Sequence, residues 1–218
     1  LFRSCGKKKK IFRQGFCYDC FMSSPAVGDW IMKPELSTAH LDIEDRDLTY
    51  EKRVQLQPHV LYLALSSEVK IGVTRGTQVP TRWIDQGASQ AIPIVEVPNR
   101  YLAGIAEVAL KNQYIDKTNW QKMLKNEILK VDLIQERLKA GTYLPQEVKE
   151  YFSDQDPNIV ELHYPVLAYP KKVTSLSLDK IPNFKGKLSG VKGQYLLFQD
   201  GTVFNIRTFE GYVVKIQI

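Results

Sequence analysis

The alternation of apolar and polar positions is sharpest between residues 59 and 97, and the rest of the chain is most easily read outward from there. Residues 59–65, HVLYLAL, are rich in strand formers, and Ser66, Ser67 and Glu68 mark a turn. Val69, Ile71 and Val73 then alternate with Lys70, Gly72 and Thr74, so the stretch predicts a β-hairpin. Pro80 suits the first turn of a helix, where its missing N–H is not needed. In such a helix Arg82 and Gln86 share one face, with Trp83 and Gly87 on the next. AIPIVEV at 91–97 predicts a third strand, and Pro93 inside it predicts an edge or a bulge. Leu102, Ile105, Ala106, Ala109 and Leu110 recur at helical spacing over 101–112, with Glu107 off the stripe. Thr118 and Gln121 have the spacing of a capping box, opening a helix whose apolar face is Trp120, Met123, Leu124 and Ile128. Helix is expected again over 131–139, stopped by Gly141, and in a short piece from Pro145 with Val148, Tyr151 and Phe152 on one side.

The flanks differ. Residues 23–58 show no strong period, are broken by Pro25, Gly28 and Pro34, and read as linker-like. Asp45, Asp47 and Glu51 fall there in a charged run, a metal cluster on one reading and a solvated face on the other. From residue 158 the text changes to short β-prone pieces, NIVELHY, KKVTSLSL, GKLSGVK, QYLLFQ, TVFNIR and YVVKIQI, with Asp200-Gly201 the clearest hairpin turn. That rhythm predicts a small β-sheet or barrel. The expected fold class is α+β, with regions 1–57, 58–157 and 158–218.

Composition narrows the class. The 218 residues, 44% hydrophobic and 25% charged, suit a globular protein of one or two domains. The longest apolar runs fall far short of the roughly 20 residues that span a bilayer. Three cysteines are too few for a secreted disulfide framework, which points to a reducing, cytoplasmic setting. The net charge of +6 is unevenly spread: residues 1–20 hold six Lys/Arg against one acid, and residues 171–218 hold eight against three. Basic ends on an acidic middle suggest a polyanionic partner, nucleic acid above all; solvated lysines without a partner are the alternative.

Cys17 and Cys20 are spaced as half of a tetrahedral zinc site, and Cys5 offers a third ligand. The place three before Cys5 is Phe2, so a fourth ligand is expected upstream of Leu1 or from His40; a degenerate knuckle and a redox pair are the other readings. Around the cysteines, Lys7, Lys8, Lys9, Lys10 and Arg13 are interleaved with Phe12, Phe16 and Tyr18. That mix suits phosphate contact plus base stacking, or alternatively a small aromatic core for the knuckle.

Two resemblances follow from these residues. VLY at 60–62, KIG at 70–72, Arg82 and Glu107 resemble the GIY-YIG superfamily, in its KIG-type branch. FRQGFCYDCF at 12–21, PHVLYLALSSEVKIGVTR at 58–75, PTRWIDQGA at 80–88 and DKTNW at 116–120 look like the bacterial domain of unknown function 2797, over nearly the whole chain. The superfamily implies a β-β-α-β-α centre in which Tyr62 helps to position or activate water, Arg82 stabilises phosphate charge and Glu107 holds one Mg²⁺ or Mn²⁺ ion; Asn119 is a weak match for a late asparagine. Lys70 replaces the second motif tyrosine, and an exposed lysine is protonated at neutral pH and cannot act as general base, though it can pair with phosphate. The unknown-function family implies a further segment ahead of the cysteines. It also implies a second cysteine/histidine cluster whose places here look like Val27, Trp30, Ser37 and Leu56, which suggests replacement by packing. The bland readings are a strand aromatic at Tyr62, a surface arginine pairing with Asp85, a solvated Glu107 and a core Trp83.

The expected function is nucleic-acid binding, to DNA or to RNA in a particle such as the ribosome. Phosphate would be held by Lys7, Lys8, Lys9, Lys10, Lys70, Arg75, Arg82 and the C-terminal lysines, with catalysis absent. A metal-dependent nuclease using Tyr62, Arg82 and Glu107, and a structural subunit of a larger assembly docking through the β-module, are the alternatives.

Overall fold

The strand-forming run at 59–65 becomes the most deeply buried strand of the protein, and two layers are built on its two faces. The computed structural model describes residues 5–7, 9–114, 119–155 and 158–217. In chain order these form α1 (Tyr18–Ser23), α2 (Leu48–Gln55), β1 (His59–Leu65), β2 (Val69–Arg75), α3 (Thr81–Asp85), β3 (Gln90–Val97) and α4 (Arg100–Leu110). There follow α5 (Trp120–Leu124), α6 (Leu133–Thr142), α7 (Gln146–Lys149), β4 (Val160–Glu161), β5 (Thr174–Ser175), β6 (Leu188–Lys192), β7 (Tyr195–Phe198) and β8 (Thr202–Asn205). The architecture is mixed α+β with two small sheets.

The first sheet runs β2-β1-β3-β4, all antiparallel. Side chains alternate across it. Leu61, Leu63 and Leu65 pack with Ala103, Ala106 and Leu110 of α4, while Val60, Tyr62 and Ala64 pack with Trp83, Ala88 and Ala91. Trp83 is thus a core residue. Pro93 produces a bulge, since the register between β1 and β3 shifts between Leu61 and Tyr62, opposite that proline. β3 is not an edge strand, because β4 pairs with Gln90 and Ala91. Beyond that short pairing, Arg137 of α6 covers the backbone: its Nε donates to Pro93 O at 2.9 Å and its Nη2 to Ile94 O at 3.2 Å and Ser153 O at 2.7 Å.

Several sequence expectations are corrected. NIVELHY contributes β4 to the first sheet and not to the C-terminal one, because the open edge of β3 accepts it. YVVKIQI forms no strand over its described residues. It lacks a neighbour to pair with, and Val213 is 93% and Ile216 79% exposed; β-propensity without a partner strand does not make a strand. Gly141 lies inside α6 and does not end it; a Cβ there would stand 2.4 Å from the Phe152 ring, so the glycine serves close approach. Thr118 lies outside the described residues, and α5 is capped by Asn119, which accepts the Lys122 N–H at 3.1 Å.

The supposed linker is fastened down. Residues 25–41 make four single-turn 3₁₀ helices, whose pitch leaves no 3.6-residue period to read. Arg100 donates to Trp30 O at 3.0 Å and Ile31 O at 2.8 Å, with its guanidinium 5.6 Å from the Trp30 ring centroid. A Cβ at Gly104 would stand 2.2 Å from Glu35 N, so only glycine lets this segment lie on α4. Of the four places compared with a second cluster, Val27, Trp30 and Ser37 are buried and Leu56 is exposed.

Asp45 and Asp47 are exposed, but Glu51 is wholly buried and is a structural carboxylate. It accepts the N–H groups of Asp45, Arg46 and Asp47 at 3.0, 2.7 and 3.0 Å, while Asp47 caps α2 through Tyr50 N at 2.9 Å. Burial alone would raise the Glu51 pKa; the three backbone donors outweigh it and hold the carboxyl below its ordinary value. A depressed folded-state pKa contributes stability that is present above the unfolded value and lost as pH falls through the folded one. Glu51→Gln is expected to lower unfolding free energy at pH 7 by about 2 kcal/mol. Urea melts should show the gap to wild type closing as pH is lowered through the carboxylate range. A pH-independent gap would remove the carboxylate from the explanation.

The second sheet runs β5-β8-β7-β6, with β5 parallel to β8 and the other pairs antiparallel. Leu197 and Val203 share a core cluster with Met123 and Leu124 of α5. The β6–β7 hairpin turns at Gly193, φ +58°, where a Cβ would lie 2.9 Å from Asp85 O at the end of α3. Among the described residues no helix is long and apolar enough to cross a membrane.

Candidate functional site

Tyr62 pairs with Gly72 across the hairpin, and its ring crosses that glycine: a Cβ at position 72 would stand 2.6 Å from the Tyr62 hydroxyl. Trp83 meets the ring edge-on, with centroids 5.8 Å apart. The hydroxyl accepts from Gln86 Nε2 at 2.9 Å and lies within hydrogen-bonding reach of Arg82. The shared helical face of Arg82 and Gln86 therefore converges on one atom. Burial raises the Tyr62 pKa; Arg82 and the Gln86 hydrogen bond pull it down, and the charge of Glu107 adds to the rise. The phenol is protonated at neutral pH and fully enclosed, so it cannot touch a solvent-borne substrate without movement.

The other expected residues divide by sheet face. Lys70 opposes Ala64 two positions from the Tyr62–Gly72 pair, which puts it on the Tyr62 face. Arg75 opposes His59 on the α4 face, away from Lys70 and Arg82. His59 is fully buried, and burial, with the charges of Arg100 and Arg75, pushes its pKa down to about 4 against the raising effect of its contact with Gln57 O at 2.7 Å. It is neutral at physiological pH. Glu107, half-buried on α4, acts electrostatically on both Tyr62 and Arg100. Tyr62 feels the charges of both Arg82 and Glu107, but Arg82 meets its hydroxyl while Glu107 stands on α4, which packs on the Leu61 face of the sheet, and Lys70 and Arg75 are on opposite faces. Asn119 serves as the cap of α5.

A second site lies near the N-terminus. Arg13 and Phe16 bridge across Gln14 (φ 51°) and Gly15 (φ 76°), a tight turn that requires two left-handed residues. Cys17 follows as the N-cap of α1 and Cys20 falls one turn on, so both thiols face Cys5. The three Sγ atoms lie within 4.8 Å of one another, with Cys5 and Cys17 4.0 Å apart, and can hold a metal ion. The Cys5 pKa is lowered, first by a hydrogen bond from the Lys7 backbone, then against burial by the Cys20 and Cys17 thiols and the Lys9 charge. No fourth His, Cys, Asp or Glu joins the cluster among the described residues. His40 does not supply one, being stacked on Tyr101 with centroids 4.4 Å apart. Asp45, Asp47 and Glu51 form no such cluster.

Around the thiols Lys7, Lys9, Lys10 and Arg13 are exposed; Lys8 lies outside the described residues. Lys9 is paired with Asp19. Phe12 packs edge-on against Tyr18 and Phe21 at 5.2 and 5.3 Å, while Phe12 and Tyr18 keep 47% and 59% of their surface exposed, so the rings form a small core that is open on one side. The C-terminal segment meets this finger: a Cβ at Gly15 would stand 3.5 Å from the Glu210 side chain, and one at Gly211 2.4 Å from Ile11. The two ends of the chain thus meet through Glu210 and Gly211, a relation with no trace in the sequence pattern.

These features define a mixed α+β protein of two small sheets with an N-terminal three-cysteine cluster able to hold a metal ion. The chain belongs to the family described as protein of unknown function (DUF2797), whose model matches residues 2–214. No curated protein and no solved structure matches it.

Proposed function

We propose that the protein binds nucleic acid through its basic N-terminal finger and the C-terminal segment packed on it, and that it does not cut. The observation that carries this reading is the exposure of Lys7, Lys10 and Arg13 on one short finger together with the half-exposed rings of Phe12 and Tyr18. Cations of that kind pair with phosphate, and the rings offer stacking to unpaired bases. A structural zinc ion would order the finger. A tetrahedron with Zn–S bonds of about 2.3 Å has edges of about 3.8 Å, and the thiols are spaced to suit it; Cys5, Cys17 and Cys20 would hold it. The hairpin with Tyr62, Lys70 and Arg82 is read as a GIY-YIG-like centre that holds phosphate charge, because the Tyr62 phenol is enclosed and a lysine stands at the second motif tyrosine.

Affinity for single-stranded DNA or RNA oligonucleotides should fall with salt, by about 0.7 log unit per contact per log unit of salt. Replacing Lys7, Lys10 and Arg13 together with glutamine should flatten that slope by about two units. Binding that is insensitive to salt, or unchanged in the triple variant, would refute the proposal. The nuclease reading draws on the meeting of Arg82 with the Tyr62 hydroxyl. It requires Mg²⁺- or Mn²⁺-dependent cleavage that disappears in Glu107→Ala.

A further inference from the structure

The three cysteines of the finger are not held alike: two are fixed to α1 and the third stands beside a joint. Cys17 is 1% exposed, follows the Arg13–Phe16 bridge, and its carbonyl accepts the Phe21 N–H at 2.8 Å. Cys20, half-buried, belongs to α1 itself, and its carbonyl accepts the Ser24 N–H at 2.9 Å. Cys5 is also half-buried and comes to the cluster from the far end of the basic loop, 12 positions before Cys17. Gly6 follows it with φ +62°, and a Cβ there would meet nothing within 4 Å. A left-handed glycine in open space lets Cys5 turn while Cys17 stays in place.

The Sγ atoms of Cys5 and Cys17 are 4.0 Å apart, and both residues are free thiols. A disulfide holds its sulfurs at about 2.05 Å, so this pair has to close by about 2 Å. Rotation of the Cys5 side chain, with the Gly6 joint behind it, supplies a shift of that size. The separation of Cys17 from Cys20 is set instead by the backbone turn that carries both. Exposure orders the two partners as well, since a small solute reaches Cys5 and not the enclosed Cys17.

We propose that the cluster is an oxidant-responsive metal site, in which a hydroperoxide closes a Cys5–Cys17 disulfide and so expels the ion. The proposal rests on reading the cluster as a zinc site. In the first step the Cys5 thiolate attacks the peroxide: an S–O bond forms, the O–O bond breaks and hydroxide leaves, so that Cys5 becomes a sulfenic acid. In the second step the Cys17 thiolate attacks the Cys5 sulfur: the S–S bond forms, the S–O bond breaks and a second hydroxide leaves. Two electrons have passed from the sulfur pair to the peroxide. Cys20 alone then faces the ion, and one thiolate does not hold zinc that needed three. The disulfide keeps Lys7 and Lys10 inside a closed loop but frees that loop from α1, which carries Tyr18. A dithiol reductant reverses both changes.

Peroxide titration of the full chain, purified with its zinc, tests the proposal. About one equivalent of hydrogen peroxide per chain should release the zinc to a colorimetric chelator and remove two of the three alkylatable thiols. Peptide mapping without reductant should join Cys5 to Cys17 and find Cys20 alkylated. Dithiothreitol with added zinc should restore the starting state, and Cys20→Ser should form the same disulfide. A chain that purifies without metal would sink the zinc reading, and the disulfide map of that metal-free chain would still decide the bond. Zinc kept in a large excess of peroxide, zinc lost with all three thiols still alkylatable, or a link from Cys20 to either partner would overturn the proposal.

Discussion

Cys17→Ser is expected to purify with almost no zinc, where on the proposed reading the wild type should carry about one ion per chain, and to lose the fold of the finger. Cys17 is 1% exposed and ends a turn that also positions Cys20 one helical turn on, so its thiol belongs to the middle of the cluster. A structural zinc contributes roughly 10 kcal/mol or more to folding, and the segment around it has little else. Among its described residues α1 contains no buried residue, and what else holds the segment is the packing of Phe12 on Tyr18 and Phe21, two hydrogen bonds from Arg46 to Phe21 O and Ser24 O, and the contact with Glu210 and Gly211. Elemental analysis would give the metal content, and hydrogen exchange over 11–23 would report the local loss. The hairpin at 59–75 should keep its protection, because its core is separate. A wild-type chain that is metal-free yet protected in the finger would remove zinc from the account.

Gly72→Ala should be the most damaging single methyl in the first sheet. The added Cβ would stand 2.6 Å from the Tyr62 hydroxyl and 2.7 Å from its Cζ, against a rigid ring that is fully buried and braced by Trp83. Overpacking of this kind costs about 3 kcal/mol. For a chain of this size that is a fall in Tm of about 6–12 °C. Combining it with Tyr62→Leu, which removes the ring, should cost less than the sum of the two single changes. A Gly72→Ala protein melting within about 2 °C of wild type would show that the ring has room elsewhere.

This glycine illustrates what the sequence pattern could carry. Alternation over 69–74 was enough to place Gly72 on the Tyr62 face, and helical spacing was enough to put Arg82 beside Gln86. Both are local relations, set by two to four residues of chain. The relations that escaped are long-range. Nothing in NIVELHY says that its partner is Gln90 and Ala91, and nothing in YVVKIQI says that its described residues go unpaired. Charge runs hid the difference between Asp45, which is exposed, and Glu51, which is buried under three backbone donors. Residues 23–58 looked like a linker because 3₁₀ turns and two arginine contacts from Arg100 leave no periodic trace. The burial of Lys192 at the end of β6 carried no signal, since a lysine before a Gly turn is ordinarily solvated.

The contact between residues 11–15 and 210–211 has a consequence for the order in which the chain is made. Translation runs from the N-terminus at about 5–20 residues per second, so the finger emerges well before residues 210–211 that pack on it. For roughly ten seconds or more it must be held without that contact, by the thiol cluster, the Phe12 packing and Arg46. Metal supply during synthesis, and not only in the finished protein, would then govern how much of each batch acquires a closed finger. In cell-free translation, zinc added at the start should give a higher yield of protease-resistant finger than the same zinc added after release.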